Sequence, residues 1–294
     1  MPEKWEQYYS KEQLALLQRI ELENLRVFIS VCEKMGLEYV AYGGTLLGVE
    51  KYGGLIPWDD DIDVAMPRES YDRFAKHASE YLPEGYFIQN PYNCEKCPYP
   101  YTKLRKKGTK YVEYANRNVD IETGVYIDIY PIDKIPDDDN LRKKQFDNVR
   151  KWIMIYVCRQ TPLYDRKVPG MFGGIKRFCK WIVCKLCGLF TQEYCMKQID
   201  QYMNMYNGSG SSRYAALNSP NYENIYEQLY PFKKGRFEEL DVNLPGDYKA
   251  HLVRRYGDYS QTPSVDQRYG HVPYILHLGD STGGKEDEHN WRAD

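Results

Sequence analysis

Four aspartates occupy five positions in "WDDDIDVAM", at 59, 60, 61 and 63, between Trp58 and an apolar run. Such a cluster repels itself unless a cation sits within it. In an extended run, alternation puts Asp59, Asp61 and Asp63 on one face and Asp60 with Ile62 on the other, neighbours on a face being about 7 Å apart. Three carboxylates on one face suit a hard cation, and an all-oxygen ligand set favours Mg²⁺ or Mn²⁺. Spacing excludes a calcium loop, because its glycine position holds Val64 and its bidentate glutamate position holds Ser70. A solvated acidic turn is the bland alternative, but a solvated turn has no need to run straight into "IDVAM". Asp60 faces away on this reading and is the aspartate expected to tolerate substitution best.

Upstream, "YGGTLLG" sets Gly43, Gly44 and Thr45 between a strand and a helix, where bare amides and the positive helix end can hold phosphate. A phosphate cradle beside a divalent metal site is what phosphoryl or nucleotidyl chemistry needs, since the metal neutralises phosphate charge while the protein aligns the reacting oxygens. Downstream, "GVYIDIYPID" sets Asp128 alone among apolar residues, a partly desolvated carboxylate that either completes the metal site or acts as general base toward an acceptor hydroxyl. A hydrogen-bonded structural aspartate is its competing reading. In "YTKLRKKGTK", Lys103 and Arg105 alternate onto one face, available to a diphosphate or merely to water.

These residues need a sheet and helices to position them. Residues 11 to 34 have the apolar spacing of an amphipathic helix, stopped by Gly36. A short strand follows in "LEYVAYGG", a helix from Thr45, a strand in "IDVAM" and a helix entered through Pro67. Further strands are expected at 86–90, 99–105, 110–115 and 125–130, so the first half is α/β or α+β around a sheet. From 137 to 206 the pattern is helical, and residues 214–278 return to mixed structure before a polar, glycine-rich tail at 279–294 that is expected to be mobile.

Composition sets limits. Forty basic against 42 acidic residues leave a formal charge of −2, so no global basic field marks the chain for nucleic acid. No apolar stretch reaches the roughly 20 residues needed to cross a bilayer. Eight scattered cysteines and the lack of a secretory leader imply a cytoplasmic setting. The C-x-x-C pairs Cys94/Cys97 and Cys184/Cys187 are too far apart for a compact zinc ribbon. Residues 171–190 carry Lys176, Arg177 and Lys180 on a narrow arc of an otherwise apolar helix, fitting either a buried helix with a wet stripe or a peripheral membrane contact. Lys185, opposite that arc, counts against a clean membrane face.

The blocks "GGTLLGVEKYGGLIPWDDDIDVAMPRESYDRF", "KLRKKGTKYVE", "GVYIDIYPID" and "LPGDYKAHLVRRYGDY" resemble the LicD family of phosphocholine transferases, and in the same segments the fukutin-related ribitol-phosphate transferases. The resemblance runs in blocks from about residue 36 to 271, and "IPWDDDID" is its most specific part. It implies a variant of the polymerase-beta-type nucleotidyltransferase fold, with a catalytic core at 1–136, an added helical lobe at 137–213 and a segment at 214–278 completing the catalytic domain. It further implies transfer of phosphocholine from CDP-choline, or of another CDP-linked group, to a hydroxyl of an envelope glycan, lipid-linked or not, at the inner face of the membrane. Carried onto this chain, Gly43, Gly44 and Thr45 match the phosphate-side motif, Asp59, Asp61 and Asp63 the metal-binding strand, and Asp128 the later carboxylate. Where many members read Ala-Val-Arg-His, this chain has Val49, Glu50, Lys51 and Tyr52, so Lys51 keeps a charge toward the donor phosphate without arginine's bidentate fork. A choline headgroup would need aromatic faces near a carboxylate, and Trp58, Tyr126 and Tyr130 lie close in sequence.

Overall fold

The computed structural model describes residues 6, 8–161, 173–216, 225–268, 270–271 and 273–279. The expected N-terminal helix is α1, Lys11–Met35, opened by a reciprocal capping box between Ser10 and Gln13 and closed by Gly36. Its buried residues include Leu17, Leu25 and Phe28, and it packs across the central sheet. Then come β1 (Val40–Ala41), α2 (Gly43–Tyr52), β2 (Asp63–Pro67), α3 (Arg68–His77), β3 (Tyr86–Gln89), β4 (Thr102–Lys106), β5 (Lys110–Glu113) and β6 (Tyr126–Lys134). The helical lobe holds α4 (Asp139–Gln160), α5 (Gly173–Cys187) and α6 (Gln192–Met203). The chain continues through β7 (Tyr214–Ala215), β8 (Ile225–Tyr226), β9 (Lys233–Phe237), β10 (Leu240–Leu244), α7 (Tyr248–Tyr256) and β11 (Pro273–His277).

The main sheet runs β1-β2-β6-β4-β3, with β7 added to the far end of β6 and β8 to β7. Among these pairs β2 with β6 is parallel and the rest are antiparallel. The architecture is a mixed α/β one, consistent with the α+β nucleotidyltransferase-like fold that the sequence implies. Two smaller antiparallel pairs, β9–β10 and β5–β11, flank it.

One core lies between α1, α2, α3 and the sheet, with Phe28, Leu46, Val64, Phe74 and Ile129 buried in it. The β9–β10 hairpin returns to this core through Phe237, Val242 and Leu244. A second core sits under α4 and α6, where Phe146, Val149, Ile199 and Met203 meet Ile135 and Ala215. The two are cross-linked by Arg68, whose guanidinium donates to both carboxylate oxygens of Asp133 at 2.8 and 2.5 Å and to Asp200 at 3.2 Å. The polar tail from residue 280 onward lies outside the described residues.

On α7, His251 is fully buried, stacked on Tyr226 with ring centroids 4.1 Å apart, and its Nε2 has no hydrogen-bond partner. Burial, followed by the charges of Arg255 and Arg254, pushes its pKa down to about 4. The unfolded chain therefore takes up this proton first, between about pH 6.5 and 4, and stability should fall by about 3 kcal/mol as pH drops across that window. Because the raised carboxylates of Glu21, Asp59, Asp61 and Asp63 act in the opposite direction over the same window, the loss should appear as the difference between the urea-midpoint pH profiles of the parent and His251→Gln.

Candidate active site

The acidic run does not form one strand. Pro57 and Trp58 make a turn closed by the Asp59 amide donating to the Ile56 carbonyl at 3.0 Å, and β2 begins only at Asp63. Asp59, Asp61 and Asp63 still come together, because all three line an open cleft of about 850 Å³. From below, Gln18 of α1 donates to the Asp59 carbonyl at 2.8 Å and fixes the turn.

Sheet register explains why Asp128 joins them. In the parallel β2–β6 pair Asp63 stands opposite Asp128, and in the antiparallel β4–β6 pair Asp128 stands opposite Lys103. Partners in register share a face, so Asp63, Asp128 and Lys103 form one row across three strands. Lys103 Nζ lies 2.9 Å from Asp128 and 3.3 Å from Glu113, and the Tyr130 hydroxyl donates to the other Asp128 oxygen at 3.0 Å. Asp128 lies beside Asp63 in this row and is not among the residues that line the cleft.

Gly43 and Gly44 have a specific job at the start of α2. A Cβ on Gly43, whose φ is 55°, would stand 2.5 Å from Asp63 Oδ2, and one on Gly44 would stand 2.6 Å from Asp59 Oδ2. The glycines let two carboxylates rest against the first turn of the helix, where its amides and dipole offset part of their charge. The Thr45 hydroxyl oxygen accepts from the Asp63 amide at 2.8 Å, a brace between α2 and β2.

Burial is the largest influence raising the pKa values of Asp59, Asp61 and Asp63. Neighbouring carboxylates push the same way: Asp61 acts on Asp59 and Asp63, and Asp128 on Asp61 and Asp63. Asp63 Oδ1 is buried without a hydrogen-bond partner. Crowded, desolvated carboxylates with an orphaned oxygen fit a hard divalent cation, which would use that lone pair and remove the repulsion. Of these carboxylates, Asp59, Asp61 and Asp63 line the cleft.

Asp60 departs furthest from expectation. It does point the other way, but into the protein, where it is 2% exposed. Its carboxylate accepts from the Tyr9 hydroxyl at 2.5 Å, the Tyr111 hydroxyl at 3.3 Å, and the His271 amide at 3.0 and 2.8 Å. The His271 ring Nδ1 lies 3.1 Å from Asp60 and 3.9 Å from Asp61. Asp60, Asp61 and His271 have potential ligand atoms within 4.8 Å of one another, the group among the described residues with metal-binding spacing. Glu21 of α1 is buried beside them, its pKa raised well above the usual range by burial and then by Asp60, Asp61 and Asp59. Sequence reasoning missed Tyr9, Glu21, Tyr111 and His271, which reach Asp60 through tertiary packing of α1 and the β5–β11 pair and have no local motif.

Lys103 and Arg105 do share a face, as alternation predicts, but neither lines the cleft. Lys103 is fully buried, its ammonium 3.2 Å from the Tyr126 ring centroid and 4.9 Å from that of Tyr99. Arg105 is spent on Gln89 at 2.8 Å, the Gly124 carbonyl at 2.7 Å and the Tyr99 hydroxyl at 3.1 Å. These are interior braces in this geometry, a correction to their expected place on a diphosphate. Lys51 does line the cleft, where its ammonium donates to the Gln261 carbonyl at 2.7 Å. The aromatic wall differs too. Trp58 faces the cleft with Tyr52, Tyr256 and Tyr259, whereas Tyr126 and Tyr130 are buried away from it.

Residues 36–172 match the family model described as the LicD/FKTN/FKRP nucleotidyltransferase domain. This segment of the chain is similar to that family's domain. A lipopolysaccharide cholinephosphotransferase LicD from Haemophilus influenzae is 26% identical over 270 residues, covering 88% of this chain and 97% of that protein. The ribitol 5-phosphate transferase FKRP of mouse and that of human are each 41% identical over 44 residues, 15% of this chain and 9% of theirs. The matched segment spans the glycine turn, the acidic run and the Asp128 strand, and its Gly44, Asp59, Asp61 and Asp63 line the cleft.

Proposed function

We propose that this protein is a Mg²⁺-dependent transferase that moves phosphocholine from CDP-choline to a hydroxyl of a cell-surface glycan of teichoic acid, lipopolysaccharide or capsule type, releasing CMP. The observation that carries the reading is that Asp59, Asp61 and Asp63 line one cleft together with Tyr52, Trp58, Tyr256 and Tyr259. The near full-length similarity to a cholinephosphotransferase supports the donor class. The cleft volume of about 850 Å³ suits a nucleotide diphosphate with its headgroup.

When bound at these aspartates, the cation would supply electrostatic stabilisation of the diphosphate and of departing CMP. The acceptor oxygen attacks the phosphorus that bears choline, the bond from that phosphorus to the CMP oxygen breaks, and the acceptor proton passes to solvent or a carboxylate. Asp128, beside Asp63 in the sheet and held by Lys103 and Tyr130, would complete and orient the carboxylate row. Lys51, on the cleft wall, is placed to meet a donor phosphate. The aromatic rings offer faces to the base or to the quaternary ammonium, which has no hydrogen-bond donors and binds through cation–π contact.

The test is a donor screen. Incubation with CDP-choline, CDP-ethanolamine and CDP-ribitol, with lipopolysaccharide or teichoic acid as acceptor, should release CMP fastest from CDP-choline and stop on adding EDTA. Preference for another donor would reassign the headgroup. Nucleotide found on the acceptor would make the protein a nucleotidyltransferase, and donor binding with no metal-dependent turnover would make it a binding protein.

A further inference from the structure

We propose that α5 is an interfacial helix that seats the protein on an anionic lipid bilayer. Cys184 and Cys187, the buried side chains of this helix, meet Cys158 and Ile155 of α4, so one side of the helix faces the lobe. Successive residues turn by about 100°, which places Ile175, Phe178, Cys179, Ile182, Val183 and Leu186 in one unbroken outward arc of roughly 140°. That arc is open: Ile175 is 62% exposed, Phe178 60% and Leu186 56%. Leu189, 79% exposed, extends the apolar surface past the helix end.

The arc is bordered by Lys185 on one side and Lys176 on the other. Lys185 therefore does not interrupt the apolar face but marks its edge, where a long side chain can keep its ammonium among headgroups. Trp181 sits beside Lys185, stacked on Phe178 with centroids 5.8 Å apart, the ring type that favours a membrane–water boundary. Arg177 and Lys180 project on the side of Cys184 and Cys187, so the cations that border the arc are Lys176 and Lys185, and no acidic residue lies between Gly173 and Cys187.

Charge decides the occupant. A second copy would set the same lysines against each other around the patch, whereas an anionic lipid surface neutralises them while its acyl boundary covers the arc. No helix among the described residues is long and apolar enough to cross a membrane, so α5 would lie in the interface plane. Lipid binding of this kind needs neither donor nor cation, so it stands or falls apart from the proposed reaction.

The full chain should co-sediment with phosphatidylglycerol/phosphatidylcholine vesicles, bind phosphatidylcholine vesicles far less, and release as salt is raised. A double variant, Phe178→Glu with Ile182→Glu, should lower the partition by at least about tenfold while its circular dichroism stays that of the parent. A Lys176→Glu/Lys185→Glu variant should lose the preference for anionic lipid. Failure of the parent to bind either vesicle, or unchanged binding by the double variant, would overturn the proposal. So would a dimer in solution that the double variant converts to monomer, since the face would then belong to a second copy.

Discussion

Asp63→Asn should lose about three orders of magnitude in CMP release while keeping the parent fold. Asparagine preserves the shape, so the Thr45 brace to the residue 63 amide and the β2–β6 register remain. What it removes is a charge that burial, then Asp61 and Asp128, already make expensive. In metal-free buffer the variant should therefore melt at or above the parent's temperature. In Mg²⁺ the order should reverse, because a cation bound only by the folded parent at a hundred times its Kd adds about 2.7 kcal/mol. Thermal melts with and without Mg²⁺ read this independently of turnover. A parent indifferent to Mg²⁺, or a variant within tenfold of parental activity, would remove Asp63 from the ligand set. The loss in rate corresponds to about 4 kcal/mol of transition-state stabilisation, within what a preorganised electrostatic site supplies.

The elements that build this site were readable because they obey local rules. Apolar periodicity and the Ser10/Gln13 box define α1, and the β-branched and aromatic run at 125–130 marks the strand that continues to Lys134 as β6. The acidic cluster stood out as a candidate cation site for a similar reason: its charge density needs an explanation that no local turn supplies. What alternation could not give was the turn at Pro57 and Trp58 and the late start of β2 at Asp63, although the facing it predicts is kept, with Asp59, Asp61 and Asp63 lining the cleft and Asp60 and Ile62 buried. Lys103 and Arg105 were misplaced on the same ground. Alternation assigns them a shared face, but only the sheet order shows that this face is covered by Tyr99 and Tyr126. A cation in an aromatic box with Asp128 and Glu113 is locally indistinguishable in sequence from one pointing at a diphosphate. Long-range partners left no trace at all, and Asp60 shows what that costs.

Asp60→Ala should be the most destabilising of the four aspartate substitutions, although alternation marks it as the most expendable. Two influences oppose each other. Removing the carboxylate relieves repulsion with Asp59, Asp61 and buried Glu21, whose pKa it helps raise. It also strands the hydroxyls of Tyr9 and Tyr111 and the amide of His271, donors that now converge on one acceptor. Leaving a buried donor unpaired costs about 1–3 kcal/mol, and the Tyr9 and Tyr111 hydroxyls still have each other at 2.7 Å. The lost acceptor therefore wins, for a net loss of about 3 kcal/mol. The loss should also be local in character, because Asp60 ties together the segment before α1, strand β5 and the approach to β11, and His271 anchors that approach. Hydrogen exchange should show the β5–β11 pair opening first in Asp60→Ala, with the main sheet protected as in the parent. Asp60→Asn, which keeps one acceptor oxygen for the tyrosines, should recover part of the stability. An Asp60→Ala protein with parental urea midpoint and unchanged exchange at β5 and β11 would show that the tyrosine and histidine contacts do not hold this corner together.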